Sequence, residues 1–179
     1  MLQTDYVDLL LIHWPSPDVP LEWALGEFDK LRKQGKARTI GVSNFPTDLL
    51  RQALDLVGDL AANQVEYHPY LSQRALLELM RSRGLVLIAH SPLVRGKILD
   101  DPVLQEIAKR RKLSVAQVAL RWIVQQEGCV AIPGVQNVEQ LRENLKVLDV
   151  SLTKTEMAAI SALARGTRIV APPHGPKWD

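Results

Sequence analysis

The stretch Val7-Asp8-Leu9-Leu10-Leu11-Ile12-His13-Trp14-Pro15 decides the fold class of this chain. Its apolar run is typical of a parallel strand that is buried on both faces, and Pro15 cannot extend a central strand because it has no amide for the ladder. His13 therefore falls at the carboxyl end of the strand, the edge at which α/β folds carry their chemistry. Taken alone, a histidine in such a run is more often a buried residue satisfied by the backbone.

Similar apolar runs recur along the chain with helical patterns between them. The further strand patterns cover residues 38–44, 62–67, 85–92 and 128–133, and the helical patterns cover residues 21–34, 47–57, 72–83 and 102–112. We expect Thr47 and Ser72 to be N-caps, with Gly35, Gly58 and Gly84 just past the ends of their helices. Strands that alternate with helices at this spacing form right-handed parallel crossovers. The sequence therefore predicts an α/β fold.

The composition limits the class of protein. With 179 residues, of which 46% are hydrophobic, the chain is long enough for one domain with a core. Cys129 is the single cysteine, which excludes a disulfide within the chain and favours a reducing, cytoplasmic location. A net charge of +2 argues against nucleic acid, and residues 109–112 are interpreted as a solvated helix end. No apolar run reaches the length of a membrane span, so no membrane partner is expected.

Two further groups of residues receive structural interpretations. Glu66 and His68 alternate across a strand exit like a metal pair, but no third ligand stands near them, so we predict no metal site. Trp23 and Trp122 lie within helical patterns, and we expect both to pack in the core.

Three ordered motifs give the chain a resemblance to a known family. They are residues 4–15, Ile40-Gly41-Val42-Ser43-Asn44-Phe45 and Asn63-Gln64-Val65-Glu66-Tyr67-His68-Pro69, and residues 91–93, 132–134 and 143–144 continue the match. Together they resemble the aldo-keto reductases, and Lys177-Trp178-Asp179 is similar to the bacterial 2,5-diketo-D-gluconate reductase branch.

The resemblance implies a partial TIM (β/α)8 barrel. This chain corresponds to strands 4–8 with their helices and a C-terminal tail, and Met1 falls at the end of the family's third helix. It implies a single NADP-dependent oxidoreductase domain over residues 1–179, truncated at the N-terminus, in which residues 166–179 form a tail or lid.

The family reduces aldehydes and ketones, which for this branch implies keto acids or sugars of the diketogluconate type, by hydride transfer from a nicotinamide. A tyrosine donates the proton, a lysine and an aspartate tune it, and a histidine orients the substrate oxygen. By resemblance His13 is that histidine, and Trp14 and Trp178 line the substrate pocket. None of the three tyrosines lies in the donor's motif, so we expect the isolated chain to be inactive.

The resemblance also assigns residues to the coenzyme. Ser43, Asn44 and Gln64 would bind the nicotinamide carboxamide, although Ser43 and Asn44 taken alone are equally an ordinary turn. His90 stands where the family usually stacks a tyrosine on the nicotinamide. The pyrophosphate loop would contain Ser91, Leu93, Arg95 and Lys97, and the adenosine end would use the backbone amides of Val135, Gln136 and Asn137 with Gln140, Glu143 and Asn144.

The adenosine end departs from the family's usual pattern. Gly134, Gln136 and Gln140 carry no positive charge where the family binds the 2′-phosphate of NADPH. NADPH is the expected coenzyme, and NADH is the alternative.

Two functions of different classes stay open from the sequence. The first is an aldo-keto reductase represented by a C-terminal fragment, acting on a small carbonyl compound. The second is a truncated, non-catalytic remnant that serves as a binding or assembly module or is an unstable product. In either case the open barrel edges, with Leu10, Ile40 and Val65 uncovered, predict self-association.

Overall fold

The computed structural model describes residues 3–179, so the expectation for Met1 lies outside the described residues. The chain has an α/β fold with five strands in one sheet, in the order β1-β2-β3-β4-β5. The strands are β1 (Val7–Ile12), β2 (Ala37–Ser43), β3 (Ala62–Glu66), β4 (Val86–His90) and β5 (Cys129–Ala131).

The helices fall between and after the strands. They are α1 (Leu21–Lys33), α2 (Thr47–Leu56), α3 (Arg74–Ser82), α4 (Pro102–Arg111), α5 (Val115–Val124), α6 (Val138–Leu145) and α7 (Lys154–Ser161), with 3₁₀ segments at Val94–Asp100 and Lys146–Asp149. The expected alternation of strands and helices is confirmed, and β1, β2 and β3 pair in parallel. Among the described residues, no helix has the length and apolar character that crossing a membrane requires.

The chain forms two compact units. The first unit contains residues 3–65, 75–87 and 171–179, and therefore carries β1, α1, β2, α2 and the end of the tail. Apolar residues lie along its strands and on one face of each of its helices. Its buried residues include Leu25, Ile40, Val42, Leu50 and Leu76.

The second unit contains residues 66–74 and 88–170. Capping residues set where its helices begin: Asp101 accepts from the amides of Val103 and Leu104 to start α4, and Ser114 forms a capping box with Gln117 to start α5. The apolar faces of these helices then bury Leu104, Ile107, Val118, Leu120 and Ile123.

Several local expectations are wrong. Thr47 is the first residue of α2 and Pro46 is its N-cap, while α3 begins at Arg74, so Ser72 lies too early to be its N-cap. Gly58 does not close α2 in a left-handed turn, because that helix ends at an extended Val57. Gly35 and Gly84 do adopt the positive φ that follows a helix.

The burial of some side chains also differs from expectation. Trp122 is buried as expected, but Trp23 is 61% exposed, because it lies on the solvent side of α1. Ile40 and Val65, which we expected to be uncovered, are fully buried within the first unit, and Leu10 is half-buried.

Candidate coenzyme and substrate site

Three of the expected nicotinamide contacts meet at the carboxyl ends of β2 and β3 in the first unit. Ser43 and Gln64 are register partners, and the carbonyl oxygen of Gln64 accepts from the Ser43 hydroxyl and from the Asn44 amide, both at 2.8 Å. Asn44 has a left-handed backbone with a φ of 62°, which asparagine tolerates well among non-glycine residues. The turn thus holds the Ser43 hydroxyl beside the Asn44 side-chain amide, with their nitrogen and oxygen 3.1 Å apart.

The same turn fixes the end of β1. The Asn44 side-chain amide donates to the backbone oxygen of His13 at 2.9 Å, which ties the residue after β1 to the end of β2. His13 itself is exposed, and its ring centroid lies 6.2 Å from that of Trp14. His13 therefore follows the carboxyl end of β1, as the sequence predicts, and its side chain is exposed.

The tail contributes aromatic rings to the same side of the first unit. Trp14 meets His174 and Trp178 edge to face, with ring centroids 5.7 and 6.1 Å apart. Sequence reasoning missed the residue that anchors this tail, Asp179, whose partner Thr47 is distant in the chain.

The second unit contains a cleft of about 680 Å³, which we call the 91–144 cleft. Six of the residues predicted to bind the coenzyme line it: Ser91, Leu93, Arg95, Gln136, Gln140 and Asn144. Pro92, Gly96, Leu99, Ala116, Pro133 and Gly134 complete the lining. A volume of this size is typical of small-molecule and cofactor sites.

One wall of the 91–144 cleft has a strained backbone. Ser91, Val94 and Arg95 have φ values of 54°, 53° and 52°, and Gly96 has a φ of 87°. A positive φ is costly for a β-branched residue, yet Val94 is fully buried, and its amide donates to the Ser91 carbonyl at 3.0 Å. Packing and this turn therefore hold the wall in one conformation.

The opposite wall differs from our expectation in one respect. The Gln136 amide donates to the Gln140 side-chain oxygen at 2.8 Å, and the Asn137 side chain caps α6 by accepting from the Gln140 amide at 2.8 Å. The Gln136 amide is therefore occupied rather than open to an anion, because Gln140 folds back over the start of α6.

The remaining predicted coenzyme residues do not line the 91–144 cleft. Lys97 and Val135 are exposed, and Glu143 forms an ion pair with Lys146. His90 lies beside the cleft wall, with its Nδ1 3.1 Å from the Ser91 hydroxyl.

Glu66 and His68 form a wholly buried pair in the second unit. His68 Nε2 lies 2.9 Å from Glu66 Oε1, and the Glu66 carboxylate also accepts from the amides of Ile169 and Val170 at 2.7 and 2.8 Å. Burial raises the pKa of Glu66, but the hydrogen bonds from His68 and from the two amides outweigh it and leave that pKa lowered. Glu66 thus anchors residues 169–170, and the described residues contain no group of three or more potential metal ligands.

Each tyrosine hydroxyl in the part of the chain that the structure describes has a hydrogen-bond partner within its own unit. Tyr67 and Tyr70 are buried in the second unit, where their hydroxyls donate to Gln126 and Asp101, both at 2.8 Å. Burial and the Asp101 carboxylate raise the pKa of Tyr70, which makes it a weaker acid. Tyr6, in the first unit, accepts from Arg38.

The chain is similar to carbonyl reductases along almost its whole length. It is 39% identical to methylglyoxal reductase DkgB of Yersinia pestis, over 99% of this chain and 68% of that protein, and 42% identical to glyoxal reductase of Bacillus subtilis, over 94% of this chain and 60% of that protein. A solved 2,5-diketo-D-gluconic acid reductase B-like structure matches it with a TM-score of 0.96 and 44% identity, over 99% of this chain and 64% of the other.

The chain thus spans roughly two thirds or less of the length of these relatives. A sequence model of the Aldo/keto reductase family matches residues 1–165. The chain therefore belongs to the aldo/keto reductase family.

Proposed function

We propose that this chain carries the coenzyme-binding part of an NAD(P)H-dependent carbonyl reductase that acts on small aldehydes or ketones. The observation that carries the proposal is the 91–144 cleft, whose lining contains six residues assigned to the coenzyme from sequence. The names of two relatives, methylglyoxal reductase and glyoxal reductase, support a dicarbonyl substrate, and the similar 2,5-diketo-D-gluconic acid reductase B-like structure supports a keto acid. In this proposal the five strands correspond to strands 4–8 of a (β/α)8 barrel.

The proposed roles follow from the chemistry of each side chain. The reduced nicotinamide supplies a hydride for the carbonyl carbon. Ser43, Asn44 and Gln64 offer the donors and acceptors that orient a carboxamide, and the exposed imidazole of His13 is placed at a strand end to orient a carbonyl oxygen. Trp14 and Trp178 provide an apolar surface for the substrate.

The preference for NADPH over NADH should be weaker than is usual in the family. No cation stands at Gly134 or Gln140, and Gln140 already pairs with the Gln136 amide. NADPH remains the expected coenzyme, with NADH bound at comparable affinity.

The single cysteine supports a cytoplasmic location.

Coenzyme binding to the chain tests this proposal. We expect NADPH and NADH to bind with dissociation constants within about tenfold of each other, measured by coenzyme fluorescence. Gly134→Lys should improve NADPH binding by about tenfold and leave NADH unchanged, since a Cβ at Gly134 meets no atom within 4 Å. Gly58→Lys, equally open but in the first unit, is the control. Failure to bind either coenzyme would contradict the proposal.

The engaged tyrosines favour a second candidate, a module that binds without catalysing. Because Tyr67 and Tyr70 already donate their hydroxyl hydrogens, and no tyrosine lies in the motif of the family's proton donor, we expect no reduction of methylglyoxal above background by this chain alone. Steady turnover that His13→Ala abolishes would exclude the non-catalytic module and would show that a proton donor exists within the chain.

A further inference from the structure

The start of α2 is closed by a carboxylate from the tail of the first unit. Its N-cap is Pro46, whose side chain has no hydrogen-bonding atom, so the helix has no local side-chain cap. The Thr47 amide instead lies 3.2 and 3.1 Å from Asp179 Oδ1 and Oδ2, and the Thr47 hydroxyl donates to Oδ2 at 2.5 Å. Asp179, which is distant in the sequence, thus caps the amino end of α2.

A carboxylate is a suitable capping group at the start of a helix. The amino end of a helix carries a partial positive charge, and hydrogen bonds to an ionised group are about twice as strong as neutral ones. Thr47 is buried, so its amide and hydroxyl have little access to water, whereas Asp179 is exposed. Asp179 is therefore an anchor rather than a loosely placed terminal side chain.

The anchor determines where the tail aromatics lie. Trp178 is the neighbour of Asp179, and both it and His174 contact Trp14 edge to face. Three prolines, Pro172, Pro173 and Pro176, restrict the backbone of this part of the tail. Gly175 fits because a Cβ there would lie 3.0 Å from the Pro172 oxygen and 3.6 Å from the Trp14 ring.

We propose that Asp179 is a positioning residue of the substrate pocket, because its carboxylate caps α2 and thereby holds Trp178 against Trp14. The assignment of Trp14 to that pocket rests on the proposed function; the anchoring of the tail does not. Asp179 would thus set which carbonyl substrates the pocket accepts without touching the reacting atoms.

The anchor is tested by amide hydrogen exchange on the intact chain. Asp179→Ala should speed exchange at Thr47 and at residues 174–178 by at least about tenfold, and Thr47→Val should do so less, since it keeps the backbone donor. The matched control is Asp48→Asn, which alters an exposed first-turn acid that pairs with Arg51. Unchanged exchange of the tail in Asp179→Ala, or an equal rise throughout β1 to β3, would overturn the proposal.

Tryptophan fluorescence tests the link to Trp178. Acrylamide should quench the tryptophan fluorescence of Asp179→Ala more strongly than that of the parent chain, because release of the tail uncovers both Trp178 and Trp14. This difference should vanish when both chains carry Trp14→Phe and Trp178→Phe, and a difference that persists in that background would overturn the proposed role of the Trp14–Trp178 contact.

Pyruvate serves as a probe for the pocket itself. Pyruvate should quench the tryptophan fluorescence of the parent chain and of Asp48→Asn at similar concentrations. For Asp179→Ala the same quenching should require concentrations at least about fivefold higher. Tail release in Asp179→Ala without any pyruvate quenching of the parent would uphold the anchor and overturn the substrate-pocket assignment, so the two failures are distinguishable.

Discussion

At the scale of single residues, Gly41 shows how little room the strands of the first unit leave. It lies on β2 between β1 and β3, and a Cβ built on it would stand 2.6 Å from the Ala62 oxygen and 2.8 Å from Leu11 Cδ2. The first of these neighbours is backbone, which cannot rotate away. Close approach of the three strands therefore requires glycine at this position.

We expect Gly41→Ala to lower the free energy of unfolding by at least about 2 kcal/mol, measured by urea denaturation. Gly26→Ala is the control: it lies inside α1 with no atom within 4 Å of the added Cβ, so it should raise stability by about 0.5–1 kcal/mol. Effects of the same sign for both substitutions would contradict the packing argument.

Which site residues could be predicted depends on the range of the contacts that place them. Ser43, Asn44 and Gln64 meet because parallel strands end at one edge, and the sequence pattern contains that information. The cap of Thr47 by Asp179 and the anchoring of Ile169 and Val170 by Glu66 join segments more than 100 residues apart. No local signal in the sequence specifies such distant partners. The spacing of Glu66 and His68 therefore resembles a metal motif, although Glu66 in fact binds the amides of Ile169 and Val170.

At the scale of elements, the sequence patterns predicted the first four helices but not α5, α6 or α7. Gly35 and Gly84 adopt the left-handed turn that the pattern predicts after α1 and α3, whereas α2 lacks a local cap and its expected N-cap was wrong. Capping boxes at Ser114 and Thr153 mark the starts of α5 and α7. Their signature, a hydroxyl residue followed three positions later by glutamine or glutamate, is local and can be found in the sequence.

The capping box of α7 also gives a pH dependence. Glu156 accepts from the Thr153 amide and hydroxyl and from Arg111, and the Arg111 hydrogen bonds lower the pKa of Glu156 from 4.5 to about 2. A carboxylate whose pKa is lowered by folding stabilises the protein fully above its unfolded pKa, and this stabilisation is lost as the pH falls from about 4.5 to about 2. It amounts to about 2 kcal/mol once the partial exposure of Arg111 is allowed for.

Glu156→Gln should therefore lower the free energy of unfolding by about 2 kcal/mol at pH 7, and the gap between parent and variant should close as the pH approaches 2.5. Denaturant unfolding at a series of pH values measures it. Glu106→Gln, which removes an exposed acid 3.9 Å from Arg110, is the control and should change little. A gap that stays constant down to pH 2.5 would exclude Glu156 as the titrating group.

At the scale of the whole molecule, a stripe of exposed apolar residues runs from β5 along α6. Val130 and Ile132 are exposed on and after this edge strand, and Val138, Leu141, Leu145 and Leu148 continue along one side of α6 and the 3₁₀ segment after it, with Leu148 63% exposed. None of the residues of α6 is buried. An open strand edge beside such a stripe favours association.

We expect this surface to bind a second copy of the chain. Its borders alternate acidic and basic residues, Glu139 and Glu143 with Arg142 and Lys146, so no charge of a single sign repels an identical surface. Light scattering should show a dimer whose population rises with concentration, and Leu141→Glu with Leu145→Glu should shift it to monomer because it places like charges on both faces. Leu56→Glu, similarly exposed but on α2, is the control and should leave the dimer intact. A monomer at all concentrations for the parent chain would refute the idea, and so would a dimer that the double substitution leaves unchanged.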